Sequence, residues 1–114
     1  MEKLLESEQQ NSLLQTPKAE WWLYVLSCAD ESFYTGITNN LAKRLQSHKT
    51  GKASKYTRSR LPVELKASIQ VGCNRGTAQS LEISFKKLTR KEKEYYVDVG
   101  LDVFLDKRSY PVNS

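Results

Sequence analysis

WWLYVLSCADESFYTGIT, residues 21–38, decides the fold. Its first eight residues are an aromatic and aliphatic run of strand length. CADES then supplies turn chemistry, and SFYTGIT over 32–38 reads as a second strand. A hairpin follows. Gly36 is a weak strand former, so it marks either a bulge or a close backbone approach. Tyr24 and Tyr34 are ten residues apart, so without a bulge they project from one face of the sheet. A single tyrosine on a strand is usually core packing, and even a pair is more often structural when taken alone.

Downstream, Thr38, Asn39 and Asn40 are all competent helix caps. Leu41, Leu45 and His48 follow at helical spacing, and Gly51 supplies the stop. Residues 52–62, KASKYTRSRLP, read as a basic loop closed by Pro62. VELKASIQV (63–71) alternates, with Val63, Leu65, Ala67, Ile69 and Val71 on one face of a half-buried strand. Ala78, Leu81, Phe85 and Leu88 form a helical stripe. Thr89 through Glu92 is a capping-box pattern for a further helix ending near Gly100. The order is β-β-α-β-α-α: a small α/β domain with a short, three-stranded, mostly antiparallel sheet flanked by helices. The domain is expected over 19–100, after an N-terminal appendage (1–18, helical or disordered) and before a C-terminal extension (101–114) that adds a strand or trails.

The 114 residues fit one domain, and 39% hydrophobic with 27% charged residues describes a globular chain. No apolar run approaches the roughly 18 residues a membrane span needs. MEKLLESEQQ lacks the basic start and apolar stretch of a secretory signal, so a cytoplasmic location is the expectation. Cys28 and Cys73 lie far apart and read as two buried free thiols. With one histidine they cannot readily complete a zinc site.

Charge is asymmetric. Residues 43–93 hold fourteen Lys and Arg against Glu64, Glu82 and Glu92, a balance of +11. Residues 1–20 balance at −2. A basic block of that density attracts polyanions by contact and counterion release.

The chemistry-bearing candidates are few. Arg44 and His48 are four apart on the first helix, and His48 is the only histidine. Taken alone it reads as a partly buried surface histidine. Glu82 sits at the edge of its helix's apolar stripe. It is either an oxygen ligand for Mg²⁺ or Mn²⁺ or the ion-pair partner of Lys86, four residues on.

Together, the order and spacing of these residues resemble the GIY-YIG endonuclease superfamily. Leu23-Tyr24-Val25 stands at its first tripeptide and Tyr34-Thr35-Gly36 at its second. LAKRLQSH (41–48) is similar to its first-helix signature. SLEISFKKLTRKEK (80–93) and the KYTRSR-P stretch (55–62) resemble the small stand-alone bacterial YhbQ-like branch. The likeness spans residues 21–95. The departures are a first motif without its leading glycine, threonine at the centre of the second, and no asparagine between Glu82 and Asn113.

The resemblance implies hydrolysis of a phosphodiester bond. Tyr34 would be the general base, Tyr24 would orient the water, and Arg44 would hold the scissile phosphate. His48 would assist proton transfer or contact phosphate, and Glu82 would carry one Mg²⁺ or Mn²⁺. Lys43, Lys49, Lys52, Lys55, Arg58 and Arg60 would track the nucleic-acid backbone, with Tyr56 stacking on an unpaired base. DNA is the expected partner, with RNA open, and DNA repair is the process the family suggests. No base-reading motif is present, so cutting is expected to be structure-dependent or weakly selective. Two other readings stay open: a non-catalytic nucleic-acid-binding module of the same fold, and an adaptor recruiting a protein partner through residues 1–18.

Overall fold

The computed structural model describes residues 20–109. The Leu-rich segment 1–18 and Asn113 lie outside that range. The elements are β1 (Trp22–Ser27), β2 (Phe33–Thr38), α1 (Leu41–Lys49), α2 (Lys55–Arg58), β3 (Glu64–Gln70), α3 (Arg75–Lys86), α4 (Arg90–Val99) and α5 (Leu101–Ser109). The expected β-β-α-β-α-α order is present, with α2 and α5 added to it.

The sheet runs β2-β1-β3, antiparallel throughout. β1 is its central strand and is covered on both faces. That explains why its sequence is continuously apolar where an edge strand would alternate. Leu23 and Val25 point into one core with Leu81, Phe85, Tyr96, Leu101 and Phe104. Tyr24, Leu26 and Cys28 point into a second, with Val63, backed by Tyr34, Leu41, Leu45, Tyr56 and Leu65. α3, α4 and α5 close the first face, and α1 and α2 close the second. Cys28 is buried as expected, whereas Cys73 is exposed.

β3 departs from its sequence pattern. Val25 pairs with Ala67 and Leu26 with Leu65, so Lys66 is an extra residue and the register shifts there. A bulge reverses the parity of everything beyond it. Val63 and Leu65 therefore face the second core, while Ala67, Ile69 and Val71 face the first. The single apolar face expected over 63–71 is split between the two sides of the sheet.

The helix ends follow their capping residues. Asn40 caps α1 through Lys43 N, Asn74 caps α3, and Thr89 with Glu92 closes the capping box of α4. Gly51 and Gly100 follow α1 and α4 with positive φ, the conformation glycine tolerates best. Beyond Gly100, neither the expected strand nor a trailing tail is found over 101–109. α5 docks Leu101 and Phe104 into the first core, where Phe104 meets Phe85 edge to face at 5.1 Å. No helix among the described residues is long and apolar enough to cross a membrane.

Candidate active site

The site begins with a cross-strand pair. Tyr24 lies opposite Gly36, and Leu26 opposite Tyr34, so the two tyrosines are diagonal neighbours on one face. Their ring centroids are 6.4 Å apart. Gly36 makes this arrangement possible. The Tyr24 ring lies across it, and a Cβ there would sit 2.5 Å from the Tyr24 hydroxyl. Of the two expectations for Gly36, the close approach is the one realised.

His48 comes from the last turn of α1 and is fully buried. Leu41 and Leu45, on the same helical stripe, pack on the second core and pull the ring inward. Its Nε2 lies 2.9 Å from the Tyr24 hydroxyl, and its Nδ1 lies 2.8 Å from Thr57 Oγ1. The Tyr34 ring meets it edge to face at 5.0 Å. Burial closes off the phosphate contact considered for His48. Burial, with Arg44 second, also lowers its pKa, because both penalise the imidazolium. The Tyr24 phenol is pushed well above its ordinary range, first by burial, then by Tyr34 and Glu82, against the pull of Arg44. Tyr24 therefore stays protonated at neutral pH. The same influences show that Arg44 and Glu82 act electrostatically on one phenol from different elements, α1 and α3.

Arg44 is exposed and lines a polar cleft of about 420 Å³ with Thr38, Asn39, Asn40, Lys43 and Lys52. None of these three cations has a carboxylate partner among the described residues. Glu82 is half-buried, and Lys86 Nζ lies 3.1 Å from its Oε2. Among the described residues no group of three or more His, Cys, Asp or Glu converges on a metal-sized space. A cation here would have one protein carboxylate and would complete its shell from water and phosphate, which suits Mg²⁺. Lys86 is about half exposed and is free to swing away.

Comparison with known proteins agrees with this geometry. The family model of the GIY-YIG catalytic domain matches residues 20–95. The chain belongs to the GIY-YIG family. It is 51% identical over 77 residues to a UPF0213 protein of Bacillus licheniformis, covering 68% of this chain and 78% of that protein. It is 47% identical over 77 residues to the UPF0213 protein YazA of Bacillus subtilis, covering 68% and 77%. Among solved structures, the solution NMR structure of an E. faecalis protein matches with a TM-score of 0.50 at 40% identity, covering 72% of this chain and 86% of that one.

Within this GIY-YIG domain the basic residues divide into two sets. Lys43 and Lys52 border the cleft, and Lys49, Lys55 and Arg58 are exposed outside its lining. Arg60 differs from the backbone-tracking residue expected. It pairs with Asp30 at 3.0 Å, donates to the Tyr56 carbonyl, and stacks 3.7 Å over the Tyr56 ring. Tyr56 in turn stacks on Tyr34 at 5.9 Å. The ring expected to receive a base is instead the spacer between Arg60 and Tyr34. The two residues brace the hairpin turn against the KYTRSR segment.

The sequence over 52–62 reads as a loop and gives Ser54 and Thr57 no role. The available signal was a serine three residues before a threonine, the spacing of an N-cap. Ser54 Oγ does accept from Thr57 N, at 3.2 Å.

Proposed function

We propose that this GIY-YIG chain hydrolyses phosphodiester bonds in nucleic acid, DNA in the first instance, without strong sequence selection. The observation that carries the reading is the convergence on one phenol. Tyr24 touches His48 and Tyr34 and feels both Arg44 and Glu82. A core-packing tyrosine pair has no need of that company.

In this mechanism the Arg44 guanidinium holds the scissile phosphate at the mouth of the cleft and stabilises its developing charge with paired donors. Lys43 and Lys52 hold flanking phosphates. Tyr24, kept protonated by burial, orients the attacking water through its hydroxyl and does not take its proton. The more accessible Tyr34, acting in its phenolate form, takes that proton at its oxygen. Glu82 would hold one Mg²⁺ or Mn²⁺, which when bound neutralises charge on the phosphate and the leaving oxygen.

The rival reading, a binding module without turnover, draws on the Lys86–Glu82 ion pair, because a lysine on that carboxylate competes with a metal. Cleavage of labelled single-stranded, duplex and branched DNA with Mg²⁺ or Mn²⁺ separates the two. Nuclease action requires that the wild type cuts only with metal, and that Glu82→Gln and Tyr34→Phe bind DNA but lose cutting by about 10²-fold or more. Equal binding and no metal-dependent cutting by the wild type on any substrate would leave the binding module as the better account.

A further inference from the structure

The short helix α2 does something the mechanism above leaves unused. It is a single turn, capped by Ser54, and it places Thr57 in the protein interior with no exposure at all. Its neighbours Lys55 and Arg58 are exposed. A buried hydroxyl without a partner is unfavourable, so a threonine held here needs hydrogen bonds. It has them. Thr57 Oγ1 lies 2.8 Å from His48 Nδ1 and 3.0 Å from Ser54 Oγ. With the 2.9 Å contact between His48 Nε2 and Tyr24, these form a continuous chain: Ser54, Thr57, His48, Tyr24.

Such a chain can run in two directions. In one, Ser54 donates to Thr57, Thr57 to Nδ1, and Nε2–H to Tyr24. The Tyr24 proton then has no acceptor among the described residues and depends on a site water, although Tyr24 is only 2% exposed. A buried hydroxyl left unpaired is unfavourable. In the other direction, Tyr24 donates to Nε2, Nδ1–H donates to Thr57, and Thr57 donates to Ser54. Every buried donor then has an acceptor, and the last hydroxyl, on half-buried Ser54, reaches water.

We propose that Thr57 is a positioning residue. Its oxygen accepts the Nδ1 proton of His48 and fixes the tautomer whose Nε2 accepts the Tyr24 phenol proton. The tautomer of a histidine is set by the bond its other nitrogen makes. With its proton turned inward, Tyr24 presents its oxygen to the site as a pure acceptor for water. This catalytic consequence rests on the nuclease reading; the tautomer does not.

The test reads the proton directly. Because His48 is the only histidine in the chain, a long-range ¹H–¹⁵N NMR correlation shows a single imidazole. The wild type and Thr57→Ser should carry the proton on Nδ1. Thr57→Val, of the same shape, should move it wholly or partly to Nε2. In cleavage assays Thr57→Val should lower kcat by about tenfold to a hundredfold with KM unchanged, and Thr57→Ser should restore it. A wild-type proton on Nε2 overturns the proposal even if the valine variant fails to fold. So does a valine variant that keeps the wild-type tautomer. If the wild type cuts no DNA, the nuclease reading fails, and the spectrum still decides the role of Thr57.

Discussion

The two faces of the sheet are built from alternate residues of the same strand and follow opposite rules. On one face Leu23 and Val25 meet Leu81, Phe85 and Phe104 in an almost wholly apolar core, closed by three helices. On the other, Tyr24 meets Tyr34 and His48, and His48 meets Thr57, so that buried polar groups alternate with Leu26 and Val63. The first face can tolerate change of shape only at the expense of stability. The second, on the proposed reading, can lose a single oxygen, keep its shape, and lose cleavage.

Phe85→Ala should break the first face most severely. It removes a fully buried ring and should lower stability by about 3–5 kcal/mol, read as a fall in Tm. Tyr24→Phe should do the reverse, retaining most of the stability while cleavage falls sharply. If Tyr24→Phe unfolds the domain as Phe85→Ala does, the division of labour between the faces is wrong.

Gly36→Ala tests how tightly the second face is fitted. The new methyl would meet the Tyr24 ring within 2.7 Å, and that ring is too buried to yield freely. Overpacking of this kind costs about 1–3 kcal/mol, and cleavage should fall with it. A variant with unchanged Tm and unchanged activity would show that Tyr24 has room to move.

The smallest effect sharpens the contrast through pH. The folded state protonates His48 less readily than the unfolded chain, whose imidazole titrates near 6.5. Stability is therefore whole above that pH and declines as the pH falls below it. His48→Gln should flatten the decline in denaturant titrations between about pH 6.5 and 5, since glutamine has no proton to gain there. An equally steep decline in the variant would place the acid sensitivity elsewhere.

Much of this was legible in the residues. The hairpin and the capped helices follow from local rules, because strand propensity and capping act over a few positions. Tyr24, Tyr34, Arg44, His48 and Glu82 stand out through the resemblance of their motifs to the GIY-YIG family. The role of Tyr56 and Arg60 was not legible: their partners, Tyr34 and Asp30, lie more than twenty residues away, and charge alone suggests a free surface. Helix α5 was missed because apolar residues at 101, 103, 104 and 105 trace no clean stripe. Its helical state is secured by docking against Phe85 and Tyr96.

By itself the sequence determined the hairpin, the third strand, the longer capped helices and the basic block, since periodicity, caps and charge are properties of short stretches. The candidate site residues rest on the resemblance to the GIY-YIG family. Only the tertiary structure decided that Lys66 bulges out and splits β3 between two cores, and that His48 is buried between Tyr24 and Thr57. Both depend on which strand and helix meet across the sheet. Pairing register and hydrogen bonds between distant residues are settled by packing, where a one-residue slip exchanges the faces.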